Sequence, residues 1–546
     1  MQAPEPITLP HLTNEMVVNA RKTRLCSFSV ALEGWRRGLQ LKWYTADSKY
    51  YDDMIVFGVN PPGRLFSLSS DKRTEFFFRT RGNKVSNEAV ELSDDKYTTK
   101  QMLAEAGVPV PLGKGFPAEA TNEEIIEYAK SLGFPLVVKP TDGSLGWGVV
   151  TNIRDEQELA ESLEYVREEL EYDEVIVEQY IVGPEYRLYV VDDEVVAAYN
   201  RIPANITGNG KNTIEELIHL KNLQRRKNAR LNDCLIEIDV EIMQFVEEAG
   251  YTLKSVLPKG KKLYLREKSN VSIGGDPIDV TDELSEEIKS IAIRALQTMP
   301  KFKHGGVDII INEGNVTEEA AVVLELNATA QIGGILFPLE GQSRDIPKAI
   351  IDYYFPETIG VKKAESRLYF DMSEVLQPLE NRSSQEVEVI PAPQGKIYSK
   401  AFHVIGTVMR ENYHRWLREQ ALKLGLHGHV ERVYHNEIEI MVASPDLDAI
   451  KKFKEMIAQS RSAQVKRIIE QDWTGPIKIG FEINERYDIN RFRSSQTALR
   501  ILNRDFTRLD RKKNRVEKDN NHIINSTSWK VTRPLRRISA LLKGKS

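Results

Sequence analysis

Residues 137–150, VVKPTDGSLGWGVV, run from an apolar strand straight into a loop holding three glycines. A strand this apolar belongs inside a sheet, so its last residues carry Lys139 from the interior to a sheet edge. There Gly143, Gly146 and Gly148 would let backbone N–H groups approach an anion closely, and the fixed ammonium would add a point charge for phosphate oxygens. The segment fits neither the Walker pattern nor the dinucleotide fingerprint. Taken alone such a segment is more often an ordinary tight turn than a phosphate cradle, and other segments must decide.

Two other segments bear on it. VEQYIVGPEYR, residues 177–187, ends an apolar strand with Glu178, Glu185 and Arg187 around a Gly-Pro turn. A strand end there could present backbone groups to a flat base and a carboxylate to ribose hydroxyls; taken alone, the segment is more often a charged hairpin. GGVDIII and LELNATAQIGG then place Asp308 at the start of one strand and Glu325 and Asn327 two apart, hence on one face, of another. Oxygen donors converging on one point match the preference of Mg²⁺, which keeps waters and substrate phosphates in its shell.

The rest of the chain alternates strands with amphipathic helices, the pattern of a multidomain α+β protein. With 546 residues it is long enough for several cores. A small N-terminal α/β domain is expected over 1–92, a larger domain over 93–356, a Pro-rich connector or small strand pair over 357–397, and a compact unit over 398–485. DDKYTTKQMLAEAG reads as a helix capped by Ser93 or Asp94 and stopped at Gly107. The 398–485 unit is ordered strand, helix, strand, helix, strand, a split βαβ or ferredoxin-like pattern closed by PIKIGFEI. Only Cys26 and Cys234 occur, so no disulfide framework is expected. MQAPEPITLP is unlike a signal peptide and no apolar run of about 18 residues occurs. A cytosolic protein follows as the expectation.

Formal net charge is −5, yet residues 504–546 hold thirteen Lys and Arg against four Asp and Glu. An acidic body therefore carries a basic tail, 486–546. Its end, SWKVTRPLRRISALLK, sets Trp529, Leu535, Ile538, Leu541 and Leu542 among basic residues, as in an interfacial helix drawn to anionic lipid, a docking peptide or a solvated tail. No nucleic-acid partner is expected from an acidic body without an RNA-binding motif.

The blocks DKYTTKQMLAEAGVPVP, VVKPTDGSLGWGV, VEQYIVGPEYRLYVV, RIPANITGNGKNTIEELI, LREKSNVSIGGDPIDVTDE, GVDIII, LELN and LFPLEGQSRDI together resemble the ATP-grasp ligases, most closely the cyanophycin-synthetase and glutathione-synthetase-like branch. The resemblance covers roughly residues 93–350. It implies a cleft between two α+β lobes that holds ATP, with a smaller domain packed beside it. Lys96 and Lys139 would contact the phosphates, with the loop bearing Asp142, Gly143, Ser144, Gly146 and Gly148 as their cover. Glu178, Gln179, Tyr180 and Ile181 would bracket adenine, and Glu185 would hold the ribose. Asp308, Glu325 and Asn327 would bind Mg²⁺; Arg187, Arg201 and Arg266 would hold an acyl phosphate and a substrate carboxylate. Leu145 and Trp147 depart from the polar residues usual in that branch.

Residues 398–485 resemble acylphosphatase through VIGTVMRENYHRW and LGLHGHVERVYHNEIEI. Aligned on Gly406, His414 stands where that family has its catalytic Arg and Arg432 where it has its Asn, while Arg410 and Asn412 replace loop glycines. Arg415 lies one position away. His403, His414, His427, His429 and His435 fall in this unit without metal-ligand spacing. The expected function is an ATP- and Mg²⁺-dependent ligase joining a carboxylate to an amine, amino acid or peptide, through an acyl phosphate. The alternatives are an acyl-phosphate hydrolase and a nucleotide-regulated assembly module. A homo-oligomer is expected, with the tail able to reach the inner membrane face or a surface-polymer machinery.

Overall fold

The computed structural model describes residues 6–51, 54, 62–141, 148–311, 321–360, 367–408, 411–434, 436–460 and 463–484. The N-terminal unit packs helix Arg24–Arg36 on an antiparallel sheet of Gln40–Tyr44, Leu65–Ser69, Thr74–Phe78 and Arg81–Gly82. That helix is buried on nearly every side. Even Arg36 is interior, its guanidinium donating to the Leu368 carbonyl at 2.7 and 2.9 Å and to the His11 carbonyl at 2.7 Å.

The segment read as a connector or a small strand pair instead completes the N-terminal unit. Residues 386–389 form the fifth strand of the N-terminal sheet, with Leu41 opposite Val389 and Trp43 opposite Val387. Helix Met372–Glu380 adds Met372, Val375, Leu376 and Leu379 to the same core, and Phe370 stacks edge-on against Phe28 and Trp35 at 5.0 and 5.6 Å. A four-residue strand, EVEV, is too short for its period to stand out among charges and prolines.

Residues 113–179 build a smaller lobe, an antiparallel sheet ordered Gly113–Phe116, Val175–Gln179, Leu136–Pro140, Val150–Ile153. Helices Asn122–Leu132 and Glu156–Leu163 cover one face, and Ile125, Ala129, Leu159 and Leu163 meet Leu136, Val138, Val175 and Val177 there. Thr121 and Glu124 cap the first helix reciprocally. The helix before this lobe runs Lys96–Glu105 with Asp95 as its cap, accepting from the Tyr97 and Thr98 amides. Ser93 and Asp94, the expected caps, instead end the preceding helix Asn87–Asp94.

The larger lobe is an antiparallel sheet ordered Asp276–Asp279, Glu194–Ile202, Glu185–Val191, His304–Ile311, Ala321–Asn327. Side chains alternate along its strands. Tyr186, Leu188, Val190, Val307 and Ile309 face helix Glu286–Thr298, whereas Tyr189 and Val191 join the core of the N-terminal unit. A small subdomain between 204 and 265, with helices Ile214–Arg225 and Val240–Glu248, has its own core.

The C-terminal unit keeps the ferredoxin-like order but closes differently. Strand Gln464–Asp472 takes the closing position beside Tyr398–Thr407, and Phe481–Asn484 is an added edge strand, parallel to His427–Tyr434. Strand Leu368–Tyr369 pairs in parallel with Ile477–Lys478 and ties this unit to the N-terminal one. Among the described residues no helix is long and apolar enough to cross a membrane.

Candidate active site

A cleft of about 1210 Å³ opens between the two lobes and the N-terminal unit. It gathers Lys96, Lys139, Glu178, Gln179, Tyr180, Ile181, Glu185, Arg187, Arg201, Arg266, Asp308, Glu325 and Asn327, residues spread over more than two hundred positions. Asp142, Gly143, Ser144 and Gly146 lie outside the described residues. Gly148 ends that loop at φ +72, a conformation that a side chain would strain. At Gly183, in the Gly-Pro turn, a Cβ would sit 2.4 Å from the Ile311 carbonyl oxygen, so only glycine allows strand and turn to approach so closely.

One wall is cationic. The Lys139 ammonium lies 2.8 Å from Glu178 Oε1, and Lys100 pairs with Oε2 of the same carboxylate. All three are buried. Two cations thus share one anion at the end of the strand where the glycine loop begins. Burial lowers the Lys139 ammonium to about 8. Burial, with the Lys139 charge adding, lowers Lys100 to about 6. Lys100 escaped sequence reasoning, although its place one helical turn after Lys96 was a usable signal.

The Glu178 carboxylate, expected beside a base, is paired with the two lysines. The Gln179 and Tyr180 amides donate to the Leu112 and Pro135 carbonyls at 2.8 and 3.0 Å. Glu185 likewise is engaged, accepting from Ser269 Oγ and pairing with Arg201.

The opposite wall is built by strand register. Arg201 stands opposite Glu185, Arg187 opposite Asp308, and Asp308 opposite Glu325, on adjacent strands of one sheet. Arg187 Nε and Nη2 donate to the two Asp308 oxygens at 2.5 and 2.6 Å, and Arg201 Nη2 donates to Oδ2 at 2.7 Å. Burial alone would raise the Asp308 carboxyl, but the two guanidiniums hold it well below the usual carboxylate range. Glu325 is raised by burial and by the Asp308 charge, and accepts from Asn327 Nδ2 at 2.9 Å.

Three acids against two guanidiniums leave this end net negative. Among the described residues no three His, Cys, Asp or Glu side chains cluster as metal ligands. Here the third donor is the Asn327 amide. The set suits a hard divalent cation: all donors are oxygens, and two like charges face each other across one register pair. The pairing of Asp308 with arginines leaves carboxylate lone pairs open, since each oxygen can accept more than one contact.

The three arginines expected to grip substrate are all compensated. Arg187 and Arg201 are bound to Asp308, and Arg266 pairs with Asp239 at 2.5 Å and with Glu241. In the C-terminal unit His414 is buried and Arg415 and Arg432 are exposed. His403 pairs with Glu437 at 3.1 Å and His427 accepts from the Gly480 amide at 3.1 Å, so these histidines serve the sheet. Arg410, His435 and the basic tail lie outside the described residues.

Comparison with known proteins agrees with this architecture. Residues 93–215 match the RimK-like ATP-grasp domain family and residues 400–483 the acylphosphatase family. Cyanophycin synthetase from Trichormus variabilis is 38% identical over 281 residues, 51% of this chain and 31% of that protein. The glutathione biosynthesis bifunctional protein GshAB of Listeria innocua is 33% identical over 273 residues, 49% and 35% of the two chains. The structure of a bifunctional glutathione synthetase from Pasteurella multocida is 27% identical, with 54% of this chain and 41% of that one covered at a TM-score of 0.42. The chain therefore carries an ATP-grasp domain of the RimK-like kind, followed by an acylphosphatase-like domain. It spans about a third of the length of the curated relatives it matches.

Proposed function

We propose that this chain is an ATP-dependent ligase that joins a carboxylate to the amine of an amino acid or peptide, releasing ADP and phosphate. The carrying observation is the polarised cleft: buried lysines around Glu178 on one wall, and an oxygen-donor triad interlocked with arginines on the other. A carboxylate is a poor electrophile and must be activated. Its oxygen attacks the γ-phosphorus of ATP, the bond to ADP breaks, and an acyl phosphate forms. The amine then attacks the carbonyl carbon, a tetrahedral oxyanion collapses, and phosphate leaves.

Lys139 and Lys96 would neutralise the transferring phosphoryl group, while Glu178 keeps Lys139 fixed. The Ile181 amide has no backbone acceptor among the described residues and would face the base. Asp308, Glu325 and Asn327 would hold Mg²⁺, which when bound supplies charge neutralisation to the phosphates. Arg187 and Arg201 keep Asp308 ionised and oriented.

The test is ADP release from full-length protein with amino-acid and peptide pairs, which should need both substrates; hydroxylamine should trap the acyl phosphate as a hydroxamate. Unimpaired ADP release by Lys139→Ala with the correct pair would falsify the assignment. The basic tail supports contact with an anionic surface, tested by co-sedimentation of the full chain and a chain lacking residues 520–546 with anionic vesicles.

A further inference from the structure

The end of the cleft beside the N-terminal unit holds a second group of cations that the ligation chemistry does not use. Arg79 ends strand Thr74–Phe78 and lines the cleft with its side chain buried. Its Nε has no hydrogen-bond partner, and the guanidinium neighbours the Cys26 side chain, while no carboxylate of a described residue pairs with it. Arg230 reaches the same space from the larger lobe. Its stem lies against Gly333, where a Cβ would meet Arg230 Cδ at 2.7 Å, and its guanidinium is steered by Gln331 Oε1 at 3.0 Å. Arg230 too has no ionic partner among the described residues. Lys22, exposed, completes the group; Asp233 also lines the cleft, its Oδ2 unpartnered, and forms no ion pair with them among the described residues.

Backbone strain marks the same place. Arg79 and Lys22 both sit at φ +58, in the left-handed region that strains a residue other than glycine. Burial lowers the Arg79 guanidinium from its ordinary value; the neighbouring Cys26 side chain opposes this, and the charges of Arg187 and Arg230 lower it further. A desolvated guanidinium without a counter-ion is costly, and an anion relieves the cost.

We infer that Arg79 and Arg230, with Lys22, form an anion subsite that holds a carboxylate of the substrate other than the one being activated. Resting on the proposed ligation, the subsite selects a substrate with a spare acidic group, such as an acidic amino acid or a peptide with a free C-terminus. The N-terminal unit supplies part of the specificity, since Arg79 belongs to it and Arg230 to the ATP-grasp lobe.

Two readouts separate this from the ligase proposal. In the first, sulfate is titrated against the full-length chain with the nucleotide site saturated by Mg²⁺ and a non-hydrolysable ATP analogue. The wild type should gain about 2–4 °C in Tm beyond the general salt effect, measured on Arg79→Gly. Arg79→Gly relieves the positive φ, so it should fold at least as well while losing the sulfate response; Arg230→Gln should lose it too. In the second, ADP release is compared for acidic substrates and their neutral amides. Arg79→Gln should raise KM for the acidic substrate about 10- to 100-fold and leave KM for ATP unchanged.

The subsite is overturned if sulfate stabilises Arg79→Gly as much as the wild type, if it does not stabilise the wild type, or if the best substrate pair has no spare acidic group. Loss of the sulfate response in the variants, with no ADP release from any pair, would sustain the subsite and overturn the ligase. ADP release with an unchanged KM in Arg79→Gln would do the reverse.

Discussion

Lys139 and Glu178 meet at 2.8 Å between neighbouring strands of the smaller lobe, in the interior, with Lys100 on the other carboxylate oxygen. The pairing holds a phosphate-binding ammonium in place at the end of its strand. Lys139→Ala is expected to reduce ADP release about 100- to 1000-fold, the scale of losing one fixed charge aimed at a transferring group. Steady-state kinetics with varied ATP measures it.

That ammonium also sets a pH limit. Burial lowers it to about 8, so the charged form is lost as pH rises through that value in the free enzyme. The ratio kcat/KM for ATP should therefore fall above about pH 8. Arginine stays charged throughout this range, and Lys139→Arg should move the descending limb beyond it. A limb that stays at the same pH in this variant assigns it to another group.

Asp308 and Glu325 should separate stability from turnover. Asp308 is buried under two guanidiniums, and Asp308→Asn would leave both undercompensated, costing about 3–5 kcal/mol of unfolding free energy. Glu325 is less buried, so Glu325→Gln should cost about 1 kcal/mol or less and still abolish most ADP release. Urea unfolding beside activity distinguishes them; equal loss of stability in both variants would contradict the assigned division.

His304 should make the fold acid-sensitive. It lies buried between Tyr189 Oη and Tyr354 Oη, both at 3.1 Å, and burial lowers it to about 3. Unfolded, it takes a proton near pH 6.5. Between these values the unfolded chain binds the extra proton, so stability falls as pH falls from 6.5 toward 3, by up to about 1.4 kcal/mol per pH unit. His304→Gln should flatten that slope in Tm measured against pH.

The acylphosphatase-like unit is expected to be silent toward acyl phosphates. His414 stands in the core where a catalytic guanidinium would be needed, and Arg415, one position on, is exposed. Benzoyl phosphate incubated with the full chain lacking ATP should hydrolyse at the background rate, unchanged in Arg415→Ala. Turnover lost in that variant would restore the hydrolase alternative.

Lys139, Asp308, Glu325 and Asn327 were legible in the sequence because each sits on a long apolar strand whose period fixes its face. What register adds was not legible. Nothing in LELN says that Glu325 stands across from Asp308, or that Arg187 and Arg201 are locked to that carboxylate. Arg79 escaped for a different reason: it lies in another domain and carries no motif, and only folding brings it to Arg230. The strand at 386–389 was hidden by its brevity and by prolines around it.

That strand also determines the order in which the protein can be completed. Gln40 and Glu388, which hydrogen-bond across the N-terminal sheet, are separated by 348 residues. At a synthesis rate of about 5–20 residues per second, the edge of Gln40–Tyr44 waits about 17–70 s for its neighbour. The sheet of the N-terminal unit thus closes only after the ATP-grasp domain has been made, and that domain is synthesised while the edge stands open to other pairing partners.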